Sequence, residues 1–187
     1  MRIVYAGRAA PMKGTRDWLD VLEHLANMRI AFQAEWLWDG PDLATMRARV
    51  KAGPLEGHVA LPGFVSDRKR VLTALQEADL LLFCHQTPES PRILIEALAS
   101  GCPLLGYHSA FPEELIARHG GGDLTPAGNT EELAKAVAAL SHDRRRLSDL
   151  MGRAARDGAE FDAASVFAHR AEIIRANLPR ARRSSQG

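Results

Sequence analysis

The sequence predicts an α/β protein with a Rossmann-like open parallel sheet of about six strands and helices on both faces. Two patterns predict this class. Short apolar runs alternate with amphipathic, helix-length segments along the 187 residues, as in a series of βαβ units. The run Asp79 to Cys84 is apolar throughout after its aspartate, which is typical of a central strand covered on both faces.

The predicted elements alternate in order along the chain. Glycine, proline and aspartate mark the turns between them, and Thr15, Ser66 and Thr130 are predicted helix N-caps because their hydroxyls can accept a backbone N–H. Strands are expected at 2–6, 31–38, 58–61, 79–84, 103–107 and 123–124. Helices are expected at 15–26, 42–51, 66–78, 90–101, 113–118, 130–140 and 143–160, with further helical segments appended at the C-terminus.

The predicted domain organisation is one Rossmann-like domain over residues 1–160. A C-terminal helix is expected over 161–178, and a basic disordered tail over 179–187.

Composition excludes several classes of function. The net charge of +1 gives no global field for nucleic acid, and no apolar run approaches the ~20 residues of a membrane span. The two cysteines, Cys84 and Cys102, lie in apolar stretches and are expected to be reduced core residues. No signal peptide is recognised, and together with the reduced cysteines this predicts a cytoplasmic location. No set of residues has a trustworthy metal-ligand spacing, so no metal site is predicted.

The segment 87–101 is the strongest candidate for a functional site. Ser90 is a predicted N-cap and Pro91 a predicted first helical residue, and Gly101 should end the helix. A helix that starts after a buried strand offers free N–H groups to an anion, and Arg92 adds a cation there. Glu96 lies four residues after Arg92 on the same helix face, so it is either a ligand carboxylate or a simple partner of Arg92.

Five motifs occur together in one order along residues 2–161. The motifs are Gly7-Arg8 with Lys13-Gly14, the segment 37–41, the segment 61–65, Glu89 with the segment 96–103, and the segment 129–134. Taken together, they resemble the C-terminal, nucleotide-sugar-binding domain of the retaining glycosyltransferases of the GT-B fold, the group 1 or family four class.

The resemblance implies a role for each motif. Arg8 and Lys13 would hold the donor diphosphate, as two cations at the end of a strand can do. The helix start at Ser90, Arg92 and Ile93 would add to this anion site. Glu96 would bind the ribose hydroxyls, and Glu89, the candidate catalytic residue, would hold the donor sugar. The backbone of Gly63, Phe64 and Val65 would meet the base.

The sequence departs from the family pattern at two places within these motifs. Six residues lie between Glu89 and Glu96 where the family has seven, so Glu89 is a shifted equivalent. Ser90-Pro91-Arg92 replaces the family's Gly-Phe-Gly. In the second-strand loop, Trp38 stands where the family has a glycine. Trp18, Trp36 and Trp38 are expected to be core or domain-interface residues rather than a stacking platform.

The resemblance also implies a partner domain. The family places its acceptor site in an N-terminal domain, which is expected to be missing from this chain. The chain alone should then bind a UDP-, GDP- or ADP-sugar without transferring it. The transferase would need no cofactor and no metal, and peripheral contact with a membrane is a further possibility. The alternatives are a stand-alone nucleotide or sugar-phosphate binder and a degenerate domain that has lost the donor site. His85 and His108, which follow the fourth and fifth strands, are either cleft residues or ordinary rim histidines.

Overall fold

The computed structural model describes residues 1–161, together with the single residues 171, 172 and 175. Six parallel strands form one sheet in the order β3-β2-β1-β4-β5-β6. The strands are β1 Arg2–Ala6, β2 Gln33–Leu37, β3 Val59–Gly63, β4 Leu80–Phe83, β5 Leu104–Tyr107 and β6 Gly122–Thr125. The helices are α1 Thr15–Asn27, α2 Leu43–Ala52, α3 Arg68–Glu77, α4 Arg92–Ala99, α5 Ala110–Ile116, α6 Thr130–His142 and α7 Arg144–Gly158.

Helices cover both faces of the sheet, as predicted. Helix α1 contacts α2 and α6 on one face, while α4 contacts α3 and α7 on the other. The strand order reverses between β1 and β4, because the chain crosses over from β3 at one edge to β4 beside β1. In such sheets the crevice at the carboxyl ends of these two strands is the usual place for a ligand.

Of the two central strands, β4 is buried along its whole length and β1 is buried after its first residue. Leu80 to Phe83 of β4 are at most 1% exposed, which confirms the interpretation of this run as a central strand. Trp18 and Trp36 are completely buried and meet edge to face with ring centroids 5.3 Å apart, so both are core residues as predicted. Cys84 and Cys102 are free and buried, also as predicted.

Helix boundaries differ from the predictions by a few residues, chiefly at the N-caps. Asp67 accepts a hydrogen bond from the Lys69 N–H, and Asn129 accepts one from the Glu132 N–H, so these side chains cap α3 and α6 in place of the predicted Ser66 and Thr130. Gly14 occupies the N-cap position of α1, because the Thr15 hydroxyl donates to Asp42 instead.

The start of α4 corrects a more important prediction. Pro91, in extended conformation with ψ of 123°, is the N-cap residue, and Arg92 is the first helical residue. Ser90 is exposed and does not cap the helix. The helix starts later because Pro91 keeps an extended ψ, and the residue that precedes a proline is itself disfavoured from helical conformation. Gly101, with φ of 72°, follows the C-cap as predicted.

The segments predicted beyond residue 160 cannot be compared in the same way. The predicted C-terminal helix over 161–178 lies outside the described residues, apart from 161, 171, 172 and 175, and the predicted tail over 179–187 lies outside them entirely.

Candidate functional site

Two loops meet at the point where the strand order reverses. One follows β1 and includes the 3-10 turn Pro11–Lys13, and the other follows β4. The Gln86 N–H donates to the Met12 carbonyl at 2.9 Å, which joins the loops directly. Gly14 has φ of 70°, and a Cβ there would lie 1.8 Å from the Cys84 carbonyl oxygen. A glycine is therefore required for the two loops to lie this close.

The close approach of the loops brings Lys13 against Glu89. The Lys13 Nζ donates to Glu89 Oε2 at 2.5 Å, and the two side chains are only 16% and 21% exposed. The second carboxylate oxygen, Oε1, is buried and has no hydrogen-bond donor among the described residues. The predicted phosphate-binding cation and the predicted sugar-binding carboxylate thus lie together, and in the free protein they neutralise each other.

His85 lies behind this ion pair. Its Nε2 is 2.7 Å from the Tyr5 hydroxyl, and its Nδ1 is 3.9 Å from Glu89 Oε1. Burial first, and then the positive charge of Lys13, lower the pKa of His85 to about 3, so the ring is neutral at physiological pH. Burial raises the pKa of Tyr5, which therefore keeps its proton and can donate it to Nε2. That arrangement places the imidazole proton on Nδ1, on the side of Glu89.

A cavity of about 330 Å³ opens beside the same strand ends. Its volume is at the lower end of the range for small-molecule pockets, about 300–1,000 Å³. Its lining combines charged and apolar residues. The lining residues are Ala6, Gly7, Trp38, Val65, Ser66, Arg68, Val71, Arg92, Ile93 and Glu96.

The first turn of α4 supplies the charged part of the cavity. Arg92 is exposed there and has no ion-pair or hydrogen-bond partner for its side chain within the described part of the chain. Glu96 pairs with Arg68 at 3.0 Å, so the simple alternative of an Arg92–Glu96 pair is wrong. Arg68 is 72% exposed, and the pair is therefore weak and can exchange for a ligand.

The predicted site residues occupy four places in the structure. Val65, Arg92, Ile93 and Glu96 line the cavity, and Lys13 and Glu89 form the ion pair between the loops. Gly63 and Phe64 precede Val65 at the end of β3 without lining the cavity, and Phe64 is exposed. Arg8 is exposed in the loop after β1, and Ser90 lies in the loop before α4.

Sequence reasoning missed Arg68 and underestimated His85 and Trp38. Arg68 gave no signal, because its partner Glu96 lies 28 residues away along the chain. Trp38 was expected to be either a core residue or a domain-interface residue. It is 37% exposed and lines the cavity, so it is not a core residue. His108 forms an exposed ion pair with Glu113 and does not line the cavity.

Two of the three larger cavities that the described residues form can be compared by the pairing of their arginines, and both suit a phosphorylated ligand less well. One of about 390 Å³ lies over the amino-terminal ends of β1 and β2, and its arginines are paired in the contacts Arg2–Glu77 and Arg70–Glu35. Another, of about 530 Å³, lies between α1 and α2, where Arg49 is already bound by Asp20 and Glu23. Neither lies at the start of α4.

Two negative findings hold for the described residues. They contain no cluster of three or more His, Cys, Asp or Glu side chains that could hold a metal ion. Among them, no helix combines the length and the apolar character that crossing a membrane requires.

A doubly wound parallel sheet with a charged cavity at the reversal of its strand order defines a Rossmann-like ligand-binding domain. More particularly, the chain belongs to the family described as glycosyl transferases group 1, whose profile matches residues 2–158. This finding agrees with the resemblance drawn from the five motifs.

Individual relatives support the same assignment. The chain is 29% identical over 170 residues to the putative colanic acid biosynthesis glycosyltransferase WcaL of Escherichia coli strain K12, and this match covers 87% of the chain but 41% of WcaL. The chain therefore spans about two fifths of the length of this relative.

Solved structures have the same fold. HepE of Anabaena, in complex with UDP, superposes with a TM-score of 0.80 at 22% identity, over 94% of this chain and 48% of HepE. The C-terminal domain of LpcC, a glycosyl transferase group 1 family protein of Francisella tularensis, superposes with a TM-score of 0.75 at 16% identity. That match covers 86% of this chain and 84% of the LpcC domain.

The Lys13–Glu89 pair should contribute to stability because it is largely buried. Replacing one partner leaves an uncompensated charge, so Lys13→Met should lower the free energy of unfolding by about 2–3 kcal/mol. Adding Glu89→Gln should restore part of that loss. Urea unfolding of the two single variants and the double variant gives the coupling energy.

The exposed pair Arg2–Glu77, with side chains 66% and 60% exposed, is the matched control. Its coupling should stay below about 1 kcal/mol. A Lys13–Glu89 coupling no larger than this value would contradict the buried pairing.

His85 should make the fold sensitive to acid. Its pKa is about 3 in the folded chain, below the ordinary 6.5. Between these two pH values, therefore, His85 binds a proton in the unfolded chain but not in the folded chain. This contribution to stability is constant above pH 6.5 and is lost from there towards pH 3, by up to about 1.4 kcal/mol per pH unit. The His85→Gln variant, which can still accept from Tyr5, should lose stability less steeply over that window. Urea unfolding at a series of pH values checks this, and identical slopes for the two proteins would refute it.

Proposed function

We propose that this chain is the donor-binding half of a glycosyltransferase, which transfers a sugar from a nucleoside diphosphate sugar to a glycan or lipid-linked acceptor. The observation that carries the proposal is the cavity at the reversal of strand order, where the first two turns of α4 contribute Arg92 and Glu96. Membership in the group 1 family supplies the type of reaction. The UDP bound to HepE, a protein of the same fold, is consistent with a nucleotide ligand.

The diphosphate would lie at the start of α4, between the helix and the loop after β1. Arg8 and Arg92 are exposed cations with no side-chain partner in the described part of the chain. The first backbone N–H groups of α4 add the positive end of the helix dipole. These groups would stabilise the negative charge that the leaving diphosphate gains as the sugar is transferred.

Lys13 would change partner when the donor binds. In the free protein its ammonium is held by Glu89. A diphosphate carries more negative charge than one carboxylate, so it can draw Lys13 away and leave Glu89 free to accept hydrogen bonds from the donor sugar. The buried Oε1 atom of Glu89, which has no donor in the described residues, already points to such a need.

Glu96 would bind the ribose. A carboxylate can accept hydrogen bonds from both hydroxyls of a diol, and the one ion-pair partner of Glu96 among the described residues is the exposed Arg68. The backbone of Gly63, Phe64 and Val65 would meet the base, with Val65 in the cavity wall and Ile93 beside it. Ser90 would contribute through the loop that leads into α4.

The remaining parts of the proposal concern partners and place. The acceptor site would belong to an N-terminal domain, so this chain would bind a donor without transferring sugar. We place the enzyme in the cytoplasm, working without cofactor or metal. Peripheral contact with a membrane would use the exposed start of α7, where Arg145 has no ion-pair partner among the described residues.

Calorimetric titration of the chain with UDP, GDP and ADP tests the proposed donor site. One of the three should bind, and Arg8→Ala should weaken that binding about 10-fold by removing a phosphate contact. Glu96→Gln should weaken it about 10- to 100-fold, because hydrogen bonds to a charged acceptor are lost. Arg145→Ala, which removes a similarly exposed arginine on α7, is the control and should bind as the wild type does.

A deoxy analogue isolates the role of Glu96. The 2′-deoxy form of the bound nucleotide should bind the wild type more weakly than the ribose form, whereas Glu96→Gln should distinguish the two much less. Equal discrimination by both proteins would contradict the ribose assignment. A folded wild type that binds none of the three nucleotides would favour the alternative of a degenerate domain.

A further inference from the structure

Trp38 combines three properties that a purely structural residue rarely has together. It follows β2 directly and has φ of 132°, a backbone conformation that bulky residues almost never adopt. Its side chain is 37% exposed, although tryptophan is normally well buried. It also lines the cavity that holds Arg92 and Glu96.

The surrounding contacts hold Trp38 in this position. Its backbone N–H donates to the Gly63 carbonyl at 3.0 Å, which continues the pairing of β2 with β3 by one residue. Its ring meets Phe64 edge to face, with centroids 4.7 Å apart and an angle of 73° between the planes. Phe64 is itself 61% exposed, so this contact orients the indole without burying it.

The cavity lining offers both kinds of group that a nucleoside diphosphate needs. Arg68, Arg92 and Glu96 supply charge to it, while Val65, Val71 and Ile93 supply apolar surface. Trp38 adds to that surface the one aromatic ring among the lining residues. A nucleobase presents two apolar π-faces, and stacking on an aromatic side chain is how proteins hold such a face irrespective of sequence or base identity.

We propose that the indole of Trp38 stacks on the base of the nucleoside diphosphate and is a main determinant of donor affinity. This inference rests on the proposed donor-binding function and adds a residue to it. This role explains why the backbone of Trp38 is strained. The positive φ places the indole at the cavity instead of in the core. The nearby Phe64 acts as a positioning residue, since its edge contact fixes the plane of the indole.

Tryptophan fluorescence gives a direct test, because this chain has three tryptophans and the other two are completely buried. Addition of the nucleoside diphosphate that binds should quench the emission of the wild type, whereas pyrophosphate, which has no base, should not. Trp38→Phe should bind the nucleotide but lose the quenching. Quenching that survives in Trp38→Phe would show that a buried tryptophan reports instead, and would overturn the stacking.

Calorimetry with Trp38→Gly measures the contribution of the ring. Loss of base stacking should lower nucleotide affinity about 5- to 150-fold while leaving pyrophosphate affinity unchanged. Trp38→Phe, which keeps a stacking ring, should lie between Trp38→Gly and the wild type. Glycine adopts the positive φ without strain, so Trp38→Gly keeps the backbone conformation of this position.

Arg29→Gly is the matched control for the backbone effect. Arg29 also has a positive φ, 58°, but it lies in the turn before β2, at the opposite end of the strand from Trp38, and does not line the cavity. Both glycine variants should unfold cooperatively in urea, and only Trp38→Gly should lose nucleotide affinity.

The outcomes separate this inference from the function on which it rests. Equal nucleotide affinity for Trp38→Gly and the wild type would overturn the role of Trp38 and leave the donor site intact. An equal loss of affinity for nucleotide and pyrophosphate would also overturn it, because the whole site would then have changed. A wild type that binds no nucleoside diphosphate would overturn the proposed function together with this inference.

Discussion

The candidate site depends on the close packing of the loop after β1 against the segment after β4. Gly14 makes this packing possible, because any side chain at that position would collide with the Cys84 carbonyl. The approach of the loops brings Lys13 to Glu89 and sets both beside the start of α4. Strands β1 and β4 are neighbours only because the chain reverses the strand order there, so the topology of the sheet and the chemistry of the site have one origin.

Both carboxylates of the candidate site are paired with a cation in the free protein. Lys13 neutralises Glu89, and Arg68 neutralises Glu96. His85, which is too buried to carry a charge, is held neutral between Tyr5 and the ion pair. A ligand that carries both phosphate and hydroxyl groups could replace both ion pairs. Its phosphates would bind the cations, and its diol would bind the carboxylate. The free protein therefore keeps its binding groups close together without a large electrostatic cost.

The fold was predictable because its signals are local. Apolar runs mark β1 and β4, and glycine at 101 marks the end of α4, so each could be recognised from a few neighbouring residues. Arg92, Ile93 and Glu96 could be named from the signals of a helix that starts after a buried strand, and Val65 from the resemblance, and all four line one cavity.

The details that could not be predicted depend on contacts distant in sequence. The partner of Glu96 is Arg68 on α3, and the pair forms only when α3 and α4 lie side by side. Ser90 is a residue type that favours the N-cap, but the extended ψ of Pro91 makes the helix begin one residue later than predicted. The core position, one of the two expectations for Trp38, is wrong. That expectation came from the usual burial of tryptophan, and the positive φ of Trp38 cannot be inferred from its residue type.

A crystal structure of the chain with its preferred nucleoside diphosphate tests the central claim most directly. The account predicts the ribose on Glu96, the diphosphate between Arg8, Lys13 and the first turn of α4, and a broken Lys13–Glu89 contact. A nucleotide found instead in the cavity between α1 and α2, or one that leaves Lys13 bound to Glu89 and Glu96 bound to Arg68, would contradict it.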